Sequence, residues 1–403
     1  MPRPLEGLKI LDFTHVLAGP YATRVLGDMG ADVVKINSVE RAVGANDPLH
    51  PYYLMWNRNK RALAIDLNNE SARETCKALC ETADVVIDNF SVGVLDRWGV
   101  GYDQISPTNK KVIYVQMSGM GDGGPWSKFV TYAPTIHALC GLTHTTSVGD
   151  RQDIGIGFSY NDHQAGLHGA VAILAGLESL RHSGKGQRID ISQFEVGVNF
   201  VAPSLMDYFA NNTITTPAAN DLPYDKIAPH GIYPCTPTDE TTKGENWIAI
   251  ACMEEAQWLA FKTLLGNPKW AENDKLTTMI KRYENRRDLD EHIANWTKQH
   301  DAYQLMETCQ KAGVPAGVVQ SGADLAEKDP QLKDRKFLFA FDELHKEFGQ
   351  TYGDKLPIKF SKTPCESYKR SKSLGEDNDE VLRDWLNLSA HEIEKNKSEG
   401  WMT

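Results

Sequence analysis

The sequence predicts an α/β fold, in which a large domain built on a Rossmann-like parallel sheet is joined to a smaller α+β domain. Two observations lead to this prediction. The first 120 residues alternate short apolar runs with helical patterns, and after about residue 210 the chain becomes rich in Pro, Asn and Thr. Strands separated by helices imply right-handed crossovers and a parallel sheet covered on both faces. A chain of 403 residues, 41% of them hydrophobic, can bury such a core and is long enough for more than one domain.

The strands recur through the first half of the chain. The runs predicted to form them are LKILDF (8–13), ADVVKI (31–36), RALAIDL (61–67), DVVIDNF (84–90), KVIYVQMSG (111–119) and RIDIS (188–192). Residues 19–30 and 69–83 have helical patterns, the first with Pro20 in its first turn and Gly30 at its end. Ligands of such sheets bind beyond the carboxyl ends of the strands, so the site is expected in the loops DFTHVLAGP, DNFSVG and SGMGDGGP. No GxGxxG follows the first strand, which disfavours a nicotinamide dehydrogenase.

The same patterns divide the chain into four parts. Residues 1–220 form the large Rossmann-like domain with the site, and residues 221–235 form an extended linker. Residues 236–325 are predicted to form the small domain. Residues 326–403 are predicted to lead the chain back to the large domain and to form C-terminal helices that pack on it.

Charge and composition narrow the class of partner. The formal charge of −11 disfavours nucleic acid or an anionic membrane as the main partner. No apolar run approaches the roughly 20 residues of a membrane span, and the N-terminus lacks the apolar core of a signal peptide, so a cytoplasmic location is expected. The seven cysteines form no CxxC pair, which fits reduced thiols and predicts neither a disulfide framework nor a metal site.

One carboxylate, Asp162, stands at the start of an apolar helix. Apolar residues at 167, 170, 171, 173, 174, 177 and 180 predict a helix from near Asp162 to near His182, with Asp162 or Asn161 as its cap. The helix dipole would keep such a carboxylate ionised, and an ionised carboxylate can act as a nucleophile. Capping alone is an ordinary role for Asp. Neither His163 nor His168 has the spacing for a catalytic triad with it.

Segments along nearly the whole chain resemble the class III CoA-transferases, also called the CaiB/BaiF family. In chain order they are LEGLKILDFTHVLAGPYATRVLGDMGADVVKI (5–36), NRNKRALAIDL (57–67), DNFSVGVLDRWGVGYDQI (88–105), DHQAGLHGAVAILAGLESLRHSGKGQRIDIS (162–192), APHGIYPC (228–235), GVPAGVVQSGADLAEKDPQLKDR (313–335) and LGEDNDEVL (374–382).

The resemblance implies a reaction and a nucleophile. In this family an aspartate a few residues before a helix-opening Gly attacks an acyl-CoA, and that position here is Asp162. A mixed anhydride and an aspartyl-CoA thioester follow, and CoA then passes to a carboxylic acid acceptor. Coenzyme A is thus expected as part of the acyl-CoA substrate, with no tightly bound cofactor. Small residues should allow backbone N–H groups to approach the reacting oxygens, with Gly166 and the glycine-rich segment 119–124 as candidates.

The family positions also suggest CoA contacts. Asn89 and Arg97 look like CoA-binding residues, and His15, Val16 and Ala18 like contacts near the acyl end. Lys60, with Arg61, is a weaker candidate for a basic contact, and Tyr132 falls where the family often has an aromatic residue.

The chain departs from the family pattern at two places. Asn37 stands where the family has an acid, and Ser38 stands where formyl-CoA transferases have an arginine. Arg41 is therefore a candidate to replace the CoA contact of that arginine. Leu17 replaces the glutamine with which formyl-CoA transferases handle their small polar substrate. A larger or partly apolar acyl group is therefore favoured.

The resemblance further implies an interlocked, ring-shaped homodimer. Two alternatives to the transferase remain open. One is a 2-methylacyl-CoA racemase of the same superfamily, although the GHDINY-like segment typical of that branch is absent, since His137 is not followed by Asp. The other is a non-catalytic acyl-CoA-binding subunit of a heteromeric transferase, which would have no need of Asp162.

Overall fold

A six-stranded parallel sheet forms the centre of the larger unit of the chain. A computed structural model describes residues 2–41, 44–148, 155–222, 225–237, 246–400 and 402. The strands of the sheet are β1 (Lys9–Asp12), β2 (Asp32–Asn37), β3 (Lys60–Ala64), β4 (Val85–Asp88), β5 (Ile113–Gln116) and β6 (Gln187–Asp190). Their spatial order is β3-β2-β1-β4-β5-β6, and every neighbouring pair is parallel. The predicted Rossmann-like parallel sheet is confirmed.

The strand order places a topological switch point between β1 and β4. The chain winds outward through β2 and β3 on one side and through β5 and β6 on the other. The loops that follow β1 and β4 therefore leave the sheet in opposite directions and open a crevice at its carboxyl edge.

Helices account for most of the remaining structure. Up to residue 211 they are α1 (Ala18–Asp28), α2 (Pro51–Asn57), α3 (Glu70–Thr82), α4 (Val94–Arg97), α5 (Tyr102–Ile105), α6 (Ala133–Leu139), α7 (Leu142–Thr146), α8 (Tyr160–Ser183), α9 (Gln193–Phe200) and α10 (Ala202–Asn211). From residue 255 they are α11 (Glu255–Leu264), α12 (Met279–Glu284), α13 (Arg286–Thr297), α14 (Ala302–Lys311), α15 (Gly322–Glu327), α16 (Pro330–Asp334), α17 (Asn378–Leu386) and α18 (Ala390–Ser398).

Both faces of the large sheet are covered, because apolar side chains of each strand alternate between two cores. Leu11 of β1 packs on one face with residues of α3 and α17, whereas Ile10 packs on the other with residues of α1 and α8. The C-terminal segment thus contributes α17 to the core of the larger unit, which consists of residues 1–143, 155–206 and 331–403. A two-stranded antiparallel hairpin, β10 (Leu338–His345) and β11 (Gly349–Asp354), belongs to the same unit.

The smaller unit comprises residues 144–154 and 207–330. Its antiparallel sheet has the order β7-β8-β9, with β7 (His230–Cys235), β8 (Asn246–Ala251) and β9 (Ala316–Val318). Buried residues of α11, α13 and α14 pack with this sheet in a separate apolar core. The predicted linker over 221–235 is wrong in its last six residues. They form β7, because the ladder to β8 supplies partners for their backbone groups that the Pro-rich sequence does not reveal.

Helix α8 differs from its prediction at its start. It begins at Tyr160 and ends at Ser183, followed by Gly184 with a left-handed φ of 70°. Its N-cap is Ser159, so the predicted cap at Asn161 or Asp162 is wrong, and Asp162 is the third residue of the first turn.

Small residues let α8 approach α1 closely. A Cβ on Gly166 would lie 2.6 Å from the backbone oxygen of Ala18, and one on Gly169 would lie 2.8 Å from the sulfur of Met117. Gly166 is buried in this contact. Its absent side chain serves helix packing, not the predicted approach of backbone N–H groups to a ligand.

In the part of the chain described above, no helix is long and apolar enough to cross a membrane.

The contact at Gly166 makes Gly166→Ala a test of the α1–α8 packing. We expect the variant to unfold at a lower temperature, because overpacking costs about 1–3 kcal/mol and exceeds the gain of up to about 1 kcal/mol from alanine's helix propensity. Differential scanning calorimetry measures this change. Gly322→Ala is the matched control, since a Cβ at that helical glycine meets nothing within 4 Å. Equal or higher stability of Gly166→Ala would contradict the packing argument.

Candidate active site

A cavity of about 250 Å³ opens at the switch point of the large sheet. It contains the predicted nucleophile Asp162 together with residues that follow β1, β4 and β5. The lining residues are His15, Val16, Leu17, Ala18, Asn89, Phe90, Ser91, Ser118, Gly119, Ser127, Phe129, Val130, Thr131, Tyr132, Asp162 and Gln193. The structure thus brings five predicted site residues together with the segment around Gly119: Asp162, His15, Val16, Ala18 and Asn89.

The Asp162 carboxylate lies in this cavity without a counter-charge from the described residues. Among the described residues, none forms an ion pair with it or donates a hydrogen bond to its side chain. Burial raises the pKa of Asp162 to about 6. The helix dipole predicted from the sequence would favour the ionised form, but desolvation opposes it and prevails here. At neutral pH most of the carboxyl groups remain ionised, and such a weakly solvated carboxylate is a better nucleophile than one in water.

Asn89 fixes the loop that carries His15. Its Oδ1 accepts from the His15 backbone N–H at 2.7 Å, and its Nδ2 donates to the His15 backbone oxygen at 2.8 Å. These two bonds tie the loop after β4 to the loop after β1 across the switch point. The Asn89 amide is therefore engaged with protein backbone as well as lining the cavity.

The next residue, Val16, has an unusual backbone. Its φ of 68° lies in the left-handed region, which β-branched residues rarely adopt, and its side chain is 46% exposed. Strain of this kind persists only where the surroundings hold it, and it concentrates at functional sites. Helix α1 begins directly afterwards, and its N-cap residue, Leu17, makes no side-chain hydrogen bond to it.

Beneath this loop lies a buried ionic cluster around Asp12, the last residue of β1. Its carboxylate accepts hydrogen bonds from Thr14, from Thr23 of α1 and, at 3.0 Å, from the ammonium group of Lys60. Burial by itself would raise the pKa of Asp12, but the charges of Lys35 and Lys60 with the threonine hydroxyls lower it well below its usual range.

The contacts of Lys60 contradict its predicted role as a basic contact for CoA. Its Nζ also bonds the Pro20 backbone oxygen at 3.0 Å and the Asn57 side chain at 3.1 Å, and the residue is 3% exposed. These bonds to Asp12, Pro20 and Asn57 use the hydrogen-bonding capacity of Nζ within the protein, so Lys60 has none left for a CoA phosphate. Arg61 is likewise paired with Asp32 and Asp384.

A second cavity, of about 120 Å³, adjoins the first through His15 and Phe90. It is formed at the carboxyl ends of β2 and β3 and includes Ser38 and Trp98. Asn37, also in its lining, is buried and lies 3.4 Å from the Tyr53 hydroxyl oxygen.

One of the predicted basic contacts, Arg97, does not line either of these cavities. Arg97, the last residue of α4, is exposed and makes no ion pair with any described residue, which removes the alternative of a surface salt bridge within that part of the chain. The backbone of Arg41 ends a short 3₁₀ turn, Val39–Arg41. Its side chain lies outside the described structure, so the substitution for the arginine lost at position 38 stays a prediction.

Aromatic and apolar side chains of the loop after β5 form one wall of the first cavity. Phe129 stacks on Trp126 at 5.6 Å between ring centroids, and Val130 and Tyr132 are mostly exposed. Gly119 lies so close to Thr131 that a side chain there would overlap with it, and Gly121, Gly123 and Gly124 all have positive φ. The glycine-rich segment thus shapes a turn that places the aromatic wall.

Sequence reasoning missed several lining residues. Phe129, Val130 and Gln193 have no distinguishing motif, although two of them follow the glycine-rich segment by only a few residues. Tyr52 of α2 is a further neighbour: burial raises the pKa of its hydroxyl, and the charge of Asp162 raises it further. The described residues contain no cluster of three or more side chains suited to hold a metal ion.

The chain is similar to known proteins along nearly its whole length. The sequence model of CoA-transferase family III matches residues 5–378. The succinyl-CoA–D-citramalate CoA-transferase of Chloroflexus aurantiacus is 28% identical, with 97% of this chain and 96% of the relative covered. The formyl-CoA:oxalate CoA-transferase of Streptomyces coelicolor is 27% identical, with 99% of each chain covered. The crystal structure of a CaiB/BaiF family protein from Brucella suis is 30% identical and has a TM-score of 0.85, covering 96% of this chain and 100% of that one.

The chain belongs to CoA-transferase family III, the CaiB/BaiF family. It is a class III CoA-transferase, an enzyme of the class that acts on acyl-CoA and carboxylate substrates. The predicted family and the predicted transferase activity are confirmed.

The raised pKa of Asp162 predicts how activity and stability depend on pH. Because a protonated carboxyl cannot attack an acyl-CoA, kcat/KM should fall as the pH drops through about 6. The folded protein holds this proton more tightly than the unfolded chain, so the contribution of Asp162 to stability declines as the pH rises from about 4 to 6. Asp162→Asn should therefore be as stable as the wild type, or more so, at pH 7. A kinetic midpoint near pH 4, with destabilisation of Asp162→Asn, would contradict this.

Proposed function

We propose that the enzyme transfers CoA from an acyl-CoA donor to a carboxylic acid through covalent intermediates on Asp162. The observation that carries the proposal is a weakly solvated carboxylate, without a partner among the described residues, in a cavity at the switch point, where Rossmann-like folds bind ligands. A structural cap would be bonded to backbone N–H groups of its helix, and Asp162 makes no such bond among the described residues.

Four displacements complete the reaction. An Asp162 oxygen attacks the thioester carbon of the donor, the C–S bond breaks, and CoA leaves as the thiolate. The thiolate attacks the Asp162 carbonyl carbon of the resulting mixed anhydride, which releases the donor acid and forms the aspartyl-CoA thioester. The acceptor carboxylate then displaces the thiolate to form a second anhydride. Thiolate attack on the acceptor's acyl carbon of this anhydride yields the new acyl-CoA and restores Asp162.

The start of α1 is suited to stabilise the oxyanions of these steps. Leu17 and Ala18 line the cavity, and no side chain caps the helix. The first N–H groups of a helix are unpaired within it and form its positive end. Stabilisation of developing oxyanion charge by fixed dipoles is usually the largest single contribution to such catalysis.

The two cavities adjoin, since His15 and Phe90 line both, and together they offer a continuous path for an acyl-CoA. We place the thioester beside Asp162 and the nucleotide end toward the second cavity, with the pantetheine arm passing His15 and Phe90. Arg97 precedes Trp98 of that cavity and has an exposed guanidinium, in no ion pair with a described residue, that can bind a phosphate. Coenzyme A is then a substrate and no cofactor stays bound.

The lining of the first cavity favours an acyl group without a second charge. The described lining residues include no Lys or Arg, and the one acid among them is the proposed nucleophile. The distal carboxylate of a dicarboxylic acyl group would lie near Asp162 without a counter-ion, which is unfavourable in a partly desolvated site. Phe129 and Val130 instead offer apolar contact, in agreement with the partly apolar group expected from Leu17.

Intact-protein mass spectrometry tests the mechanism and the donor class together. Wild type and Asp162→Asn are incubated with butyryl-CoA, benzoyl-CoA or succinyl-CoA, and hydroxylamine traps activated carboxyl groups. We expect a CoA adduct or a hydroxamate at Asp162 in the wild type and none in Asp162→Asn, an isosteric control without a nucleophile. Butyryl-CoA or benzoyl-CoA should label at least tenfold faster than succinyl-CoA.

Each contrary result has its own meaning. No adduct from any donor would refute the covalent mechanism. Exchange of the proton at carbon 2 of a 2-methylacyl-CoA would then indicate the racemase, and acyl-CoA binding without any reaction the non-catalytic subunit. Faster labelling by succinyl-CoA would refute the neutral acyl group and indicate that a cation from outside this cavity binds the distal carboxylate.

We also propose the interlocked, ring-shaped homodimer that the family resemblance implies. Helix α8 exposes Leu167, Val171 and Leu174 by 38%, 65% and 36%. At a spacing of four and three residues they form an apolar stripe on one face of the helix, of the kind that interfaces cover.

We also propose the expected cytoplasmic location, with which the seven free cysteines are consistent.

Light scattering tests the dimer. The wild type should have twice the mass of one chain, and Val171→Glu should shift the population toward the monomer, because the new charge would be buried at the interface. A monomeric wild type at micromolar concentration would refute the dimer.

A further inference from the structure

The first turn of α8, which carries Asp162, is capped from another helix. The leading N–H groups of any helix lack partners within it. Ser159 occupies the N-cap position but makes no side-chain hydrogen bond to the turn. Instead, the Asn161 backbone N–H, which directly precedes Asp162, donates to Nε2 of His137 on α6 at 3.1 Å.

This contact defines the chemical form of His137. Nε2 can accept a hydrogen bond only when it carries no proton, so the imidazole is the neutral tautomer protonated at Nδ1. His137 is 3% exposed, and burial lowers its pKa. Helices α8 and α9 pack against α6, and their titratable residues nearest in sequence to this contact are Tyr160, Asp162, His163 and Glu195. No ion pair between any of them and His137 is present to favour the charged form.

Asn161 is held by its side chain as well. Its Nδ2 donates to the Gln193 backbone oxygen at 2.9 Å, and the Gln193 side chain donates to the Met117 backbone oxygen just beyond β5. Asn161 is fully buried. Residue 161 is thus attached to α6, to α9 and, through Gln193, to the end of β5.

Asp162 has no comparable attachment of its own. None of the described residues hydrogen-bonds its carboxylate, so the backbone at Asn161 sets where the nucleophile lies. The reacting atoms of such a displacement must meet at about 3–3.5 Å, and a displacement of about 1 Å can cost on the order of a hundredfold in rate.

We propose that neutral His137 is a positioning residue, which holds the first turn of α8 by accepting the Asn161 N–H and so fixes Asp162 for attack. The proposal rests on the proposed nucleophilic role of Asp162. It goes beyond that role, because it assigns a function to a histidine that does not line the described cavity and that the mechanism does not otherwise use.

Three substitutions separate the hydrogen bond from packing. In His137→Gln, Oε1 occupies the place of Nε2 and can still accept the bond. In His137→Asn the side chain is polar but too short, and in His137→Leu it fills the space without an acceptor. We expect kcat to fall about tenfold or more in the Asn and Leu variants, with KM for the acyl-CoA within about twofold of wild type, and to recover in the Gln variant. The proposal would be overturned if all three variants kept the kcat of the wild type, or if kcat fell as far in His137→Gln as in His137→Leu.

A spectroscopic measurement tests the contact without any turnover. Long-range ¹H–¹⁵N correlation spectra of the wild type, with His137 assigned by the signals lost in His137→Gln, should show a neutral ring protonated at Nδ1 at pH 7. A ring protonated at Nε2, or at both nitrogens, would overturn the proposal. If the wild type gave no adduct at Asp162 but had this tautomer, the nucleophilic role would fail while the cap itself stood. If instead the wild type and all variants formed the adduct at equal rates, the nucleophilic role of Asp162 would stand and the positioning role of His137 would fail.

Discussion

The buried carboxylate of Asp12 is the interaction on which the active-site region depends. It stands at the carboxyl end of β1 and binds Thr14 of the following loop, Thr23 of α1 and Lys60 of β3. One anion thus joins the sheet, the first helix and the loop that carries His15. Removing one partner of such a buried pair typically costs about 3–5 kcal/mol, because the opposite charge stays behind unpaired. The charge of Lys60 is consumed in this structural role, which explains why a basic residue so near the site does not face the ligand.

The candidate nucleophile, Asp162, has the opposite environment. Asp12 is buried with several donors, which favour its charged form, whereas Asp162 is partly buried without any donor among the described residues, which disfavours it. The same residue type thus has a lowered pKa at one place and a raised pKa at another, because hydrogen bonds and neighbouring charges compensate burial only at the first. The strained backbone of Val16 and the tightly packed Gly166 belong to the same region. The strain at Val16 costs stability in exchange for a fixed geometry, as is common at active sites, whereas the packing at Gly166 stabilises the fold.

Rigidity around Asp162 comes from several separate elements. Asn89 connects the loops after β1 and β4, Gly166 lets α8 lie against α1, and Asn161 is bonded to His137 and Gln193. None of these groups has a charge that must change during the reaction. They hold the candidate nucleophile, the start of α1 and the cavity wall at fixed separations, which is the preorganisation that the proposed covalent catalysis would require.

The sequence by itself determined the class of fold, the strands and most helices of the large unit, the family and the candidate nucleophile. Those features depend on local periodicity and on motifs that span the whole chain, and both can be read without coordinates. Only the tertiary structure decided that Lys60 serves Asp12, that Gly166 serves helix packing, that residues 230–235 form a strand, and that burial raises the pKa of Asp162. It also decided that His137 caps α8 from 24 positions away. The physical reason is common to all five: each depends on a partner, or on an exclusion of water, supplied by residues distant in sequence, and neither spacing nor composition specifies such contacts.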